Sequence, residues 1–86
     1  MPYISPNRRR EIIKGSIPEN SGELNYELTL DIIGYMDSKG GLSYKTINDI
    51  IGALEGCKLE FYHRLARPYE DIKIKNNGDV YNETIS

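Results

Sequence analysis

"LSYKTINDIIGALEGCKLEFYHRLARP", residues 42–68, decides the fold. Ile47, Ile50, Leu54, Cys57, Phe61 and Leu65 recur at spacings of three and four. That period places apolar side chains along one side of an α-helix. Ser43 stands where a helix N-cap is needed. Pro68 disfavours helical geometry at the residue before it, Arg67. The spacing therefore predicts one long helix over 43–66, a rod of roughly 35 Å at about 1.5 Å per residue.

Outward from this rod the elements are shorter. "GELNYELTLDIIGYMDSKGG" predicts a helix over 22–39, with Leu24, Leu28 and Ile32 on one stripe and Ser21 as its cap. Gly40 and Gly41 stop it. A connection this short predicts that the two helices form an antiparallel hairpin. "SPNRRREIIK" predicts a short helix over 5–14, capped by Ser5, opened by Pro6 and ended by Gly15. Beyond Pro68, Ile72 and Ile74 alternate with Lys73 and Lys75, and Asn77-Gly78 is a turn signal. The reading for 68–86 is an extended arm or a small β-hairpin. The fold class is mainly α, in a single domain over 1–86.

Eighty-six residues give a thin core, burying only about 60–65% of the unfolded surface. Chains of this size are often reinforced by disulfides, a metal or self-association. Cys57 is the only cysteine, so no disulfide forms within one chain, and a lone thiol suits a reducing compartment. A single His and a single Cys make no metal-ligand cluster, so neither metal nor cofactor is expected. Self-association remains, as a dimer or higher homo-oligomer. Gly52 and Gly56 lie one turn apart on the long helix. Each costs about 1 kcal/mol relative to alanine, which suggests close approach by a second helix across that side. Together with Ile72 and Ile74 on the arm, they are the expected oligomer interface.

The formal charge of -2 and the pI near 5.3 argue against a dedicated DNA-binding protein. "LSYKTINDIIGALEG" has the outline of a recognition helix, but only Lys45 is basic near its start. A helix-turn-helix regulator is thus the weakest of the readings. No stretch approaches the roughly 20 apolar residues of a membrane span. The N-terminus lacks an apolar signal core. A soluble intracellular protein is expected.

No catalytic set assembles. His63 is the only histidine, and Cys57 lies six residues back on the same helix, roughly 9 Å of rise and too far for a direct hydrogen bond. Cys57 is in phase with the apolar seam and reads as a packed thiol. The basic and aromatic residues carry more. Arg8, Arg9 and Arg10 run consecutively, and Lys58, Tyr62, Arg64, Arg67 and Tyr69 cluster near the end of the long helix. Arginine with tyrosine is the chemistry of planar anion recognition and of protein hot spots. These eight residues are the candidate ligand- or partner-binding set. Their charges also suit the negative end of a helix dipole.

"GELNY", "LSYKTIN", "IGALEGCKLEFYHRL" and "RPYEDIKIKNNGDVY" resemble the pattern of a family of small uncharacterised proteins of tailed bacteriophages. The resemblance covers most of the chain from Gly22 to Tyr81, with the opening "MPYIS". It implies a viral origin, the cytoplasm of an infected bacterium and no catalytic residues. The expected function is non-enzymatic binding that counters host defence. The protein would sequester a small nucleotide-type signal or block a host protein. A virion or assembly accessory protein is the alternative.

Overall fold

The computed structural model describes residues 4–81. Four α-helices and one π-turn carry them: α1 Pro6–Ile13, α2 Ser21–Ser38, α3 Tyr44–Phe61, the π-turn Tyr62–Ala66 and α4 Arg67–Asn77. No residue among those described lies in a β-strand. The mainly helical class read from the periodicity is the class of the fold. The chain divides into two compact units, Met1–Ile47 and Asn48–Ser86.

In the first unit the helix ends follow from local chemistry. Ser5 Oγ accepts the Arg8 N–H, and Pro6 takes the first turn, where its missing N–H leaves nothing unbonded. At the other end of α1, Gly15 has φ 109° and the Ser16 N–H bonds back to the Glu11 carbonyl, closing the helix. The cap of α2 is Asn20, not Ser21. Asn20 Oδ1 accepts the Glu23 N–H at 2.9 Å, while Glu23 Oε1 accepts the Glu19 N–H at 3.0 Å. The two side chains satisfy donors reciprocally, a variant of the capping box. Helix α1 packs on α2. Ile12, 4% exposed, is the buried hydrophobic residue among those described, and Glu23 and Thr46 are the buried polar ones. Ser43 caps α3 as its sequence position suggested, accepting the Thr46 N–H at 3.1 Å.

In the second unit the chain departs from the expected arm. Arg67–Asn77 is helical, where alternation of Ile72 and Ile74 with lysines suggested a strand. Two pairs with helical spacing hold it: Arg67 Nε lies 3.1 Å from Asp71 Oδ1, and Lys73 Nζ sits 5.5 Å from the Tyr69 ring centroid. Alternation over four residues is too short to distinguish the two periods, and these i,i+4 partners favour the helix. Pro68 does not end it because the preceding turn widens. The Arg67 N–H bonds to the Tyr62 carbonyl, five residues back. That π geometry relieves the collision that a proline ring makes in a regular helix. The turn signal at Asn77-Gly78 is a helix terminator: Gly78 has φ 89° and ψ 157°, and its N–H bonds to the Ile74 carbonyl at 2.8 Å. The remainder of the expected arm, beyond Tyr81, lies outside the described residues.

Candidate functional site

The first cluster of candidate residues lies on α1. Arg8 is largely enclosed by its own chain. Its Nε donates to Glu23 Oε1 at 2.7 Å, one terminal nitrogen to Glu11 Oε2 at 2.6 Å, and the other to the Ile17 carbonyl at 2.8 Å. Glu19 Oε1 stands a further 3.7 Å away. The guanidinium is held above its ordinary pKa, by the hydrogen bonds to Glu23 and then Glu11. Burial of Glu23 opposes its charge, but the Arg8 hydrogen bond and the Glu19 N–H outweigh that opposition. Its carboxyl therefore titrates below the usual range. Arg8 ties α1, the following loop and the start of α2 together. Its neighbours serve local ends too: Arg9 Nε donates to the Ile4 carbonyl at 3.0 Å, and Arg10 bonds Asn7.

The partners of Arg8 escaped the sequence reading. The signal that finds them is the "NSGE" pattern at 20–23, in which Asn20 and Glu23 have capping-box spacing. A carboxylate fixed by such a box is a fixed receptor for a cation.

The second cluster surrounds the π-turn. Tyr62, His63, Arg64 and Leu65 all lie within it, and Lys58, Phe61, Arg67 and Tyr69 flank it on the continuous helix. Tyr62 and His63 meet edge to face, with ring centroids 6.1 Å apart at 82°. Arg64 Nε reaches Glu60 Oε1 at 3.0 Å, and Lys58 Nζ reaches Glu55 Oε1 at 3.3 Å. Arg67 is held above its ordinary pKa, first by a hydrogen bond with Tyr62 and then by the charge of Asp71. Each cation here has a carboxylate on its own helix. Such exposed pairs contribute little to stability and exchange readily for a partner's groups. Beyond them, Tyr69, Lys73, Ile74, Val80 and Tyr81 line a shallow, mostly apolar hollow at the end of α4.

Cys57 is exposed, not packed. The later part of its seam is also open, with Leu54 43% exposed, Phe61 61% and Leu65 61%, and Ile72 on α4 is 58% exposed. Within their own unit these side chains stay open. Ile74 is exposed as well. Around Gly52 and Gly56 there is open space, for a Cβ at either would meet nothing within 4 Å.

Among the described residues no cluster of His, Cys, Asp or Glu has the makings of a metal site. No described helix is long and apolar enough to cross a membrane. The model of the DUF6899 family, a domain of unknown function, matches residues 1–80. No curated protein and no solved structure matches the chain.

Proposed function

The chain belongs to the DUF6899 family, and we propose that it acts by binding, as a phage protein that blocks a host protein in the cytoplasm of the infected bacterium. The observation that carries this reading is the concentration of Tyr62, Arg64 and Arg67 on one exposed stretch of helix around a π-turn. Arginine and tyrosine are the residues that dominate protein hot spots. π-Turns recur at functional sites because they re-aim side chains that a regular helix would place elsewhere. A helix surface suits the groove of a protein partner, whereas small ligands favour concave pockets that enclose them. The viral origin rests on the resemblance of the "KLEFYHR" and "PYEDIKIKNNGDVY" stretches.

The same chemistry weighs against sequestration of a nucleotide-type signal as the main role. Arg64 and Arg67 already face Glu60 and Asp71, so an anion would have to displace a carboxylate at each. A host protein can instead offer carboxylates and apolar surface together. Arg8 is engaged within its own unit and stands outside the proposed surface.

A pull-down of the full chain from infected bacteria tests the reading. We expect one stoichiometric host protein with wild type, and its loss with the Arg64→Ala, Arg67→Ala double variant. Recovery of a nucleotide or only of phage structural proteins would overturn host blocking in favour of sequestration or assembly. Retention of the host protein by the double variant would overturn the surface.

A further inference from the structure

We infer that two copies of this chain pair antiparallel along the seam from Leu54 to Ile72, about a two-fold axis at the π-turn. This goes beyond the host-protein reading and does not rest on it. The first observation is a phase slip. In heptad terms Leu54 and Phe61 are a positions, and Cys57 is a d position. Continued without interruption, the heptad puts Arg64, Pro68 and Asp71 into the seam. Shifted by a single residue, it puts Leu65, Tyr69 and Ile72 there. The π-turn Tyr62–Ala66 supplies that shift, because i→i−5 bonding accommodates an additional residue in the turn. The apolar seam thus runs on past the slip, and Leu54, Phe61, Leu65, Tyr69 and Ile72 are all exposed along it.

A partner helix must match the slip. A regular helix would follow the seam on one side of the π-turn and lose it on the other. A second copy brings the same slip. In an antiparallel pair, an a position of one helix faces a d position of the other. Placing the axis at His63 sets Leu54 against the second copy's Ile72, Cys57 against its Tyr69 and Phe61 against its Leu65. All three layers are satisfied by one register, since each pair lies symmetrically about residue 63.

Charge selects the same direction. Between Asn48 and Phe61, Asp49, Glu55 and Glu60 against Lys58 give a formal −2. Between Arg64 and Asn77, Arg64, Arg67, Lys73 and Lys75 against Glu70 and Asp71 give +2. Antiparallel pairing lays each acidic half along a basic half, and a parallel pair would lay like on like. Gly52, Gly56 and Ile74 fall outside this seam.

Sedimentation equilibrium and native mass spectrometry of the full chain at micromolar concentration should give a dimer. Under mild oxidation wild type should form no intermolecular disulfide, because the two Cys57 thiols face Tyr69 and not each other. Tyr69→Cys should form a covalent dimer between Cys57 and the introduced thiol. Phe61→Glu should be monomeric, and if it also loses far-UV helicity the cross-linking decides. A wild-type monomer, a Cys57–Cys57 disulfide, or a Tyr69→Cys variant that stays uncross-linked would each overturn the arrangement. None of these depends on whether a host protein is bound, so the failures of the two proposals are distinguishable.

Discussion

Arg8 Nε and Glu23 Oε1 meet at 2.7 Å across fifteen residues of chain, joining α1 to the first turn of α2. Both side chains are largely shielded from water, at 17% and 8% exposure. The pair is also bonded at its margins, by Glu11 and the Ile17 carbonyl on one side and the Glu19 N–H on the other. Removing one partner leaves the other shielded and uncompensated, which is the expensive half of breaking an ion pair.

Arg8→Met and Glu23→Gln should therefore each lower the Tm of the first unit, and the double variant should lose less than the two losses combined. Arg9→Met, whose side chain is exposed and, among the described residues, reaches the Ile4 carbonyl, should change Tm much less. Thermal melts followed by circular dichroism measure all four. Additive losses for Arg8 and Glu23 would show that the pair is not coupled.

The pH dependence follows from Glu23. Its folded pKa is depressed, so the folded state holds the carboxylate more firmly than the unfolded chain does. The stabilisation is present in full above the unfolded value, about 4.3 for glutamate. It is lost as pH falls through the lower folded value. Wild type should lose its Tm advantage over Glu23→Gln on titration from neutral into that acid range. An advantage that persists unchanged at the acid end would contradict this assignment.

The cap at Asn20 gives a position-specific expectation. Asn20→Ala should cost about 1 kcal/mol of helix stability, and Ser43→Ala a comparable amount at α3. Ser21→Ala, at the residue first read as the cap, should stay within about 0.5 kcal/mol. Chemical denaturation of the three variants separates the assignments.

Gly78 closes α4 with φ 89° and ψ 157°, a region that is essentially glycine's alone. Gly78→Ala should cost about 1–3 kcal/mol or fray the last turn of α4. Amide hydrogen exchange at the Gly78 N–H, which bonds the Ile74 carbonyl, reports the fraying directly.

Gly52 and Gly56 give the opposite sign. Neither has a positive φ, and space is open around both. Gly52→Ala and Gly56→Ala should each stabilise α3 by about 0.5–1 kcal/mol and leave the dimer mass unchanged. Weakened assembly in either variant would restore the glycine side as the interface.

Much of this protein is legible in its residues. The spacing from Ile47 to Phe61 set α3, the Ser5-Pro6 pair opened α1, and Gly15, Gly40 and Gly41 ended the helices they follow. These are local facts: a cap needs an acceptor within three residues, and a positive φ needs glycine. The strand reading at 72–75 failed because a local alternation competes with i,i+4 partners, and Arg67–Asp71 and Tyr69–Lys73 decide for the helix.

What only the tertiary structure decided is which side chains have neighbours. Sequence phase puts Cys57, Phe61 and Leu65 on one side of a helix, and it cannot say whether that side meets the chain's own core. Within its own unit the thiol expected to be packed is open. Conversely, Arg8 stands beside Arg9 and Arg10 in a run of equal basic residues, yet Arg8 alone of the three meets Glu23. The difference is set by the packing of α1 on α2, which brings together groups fifteen residues apart. It is likewise the widened turn at Tyr62–Ala66 that lets the helix pass Pro68. Charge and period are properties of a sequence, whereas burial and pairing are properties of distance.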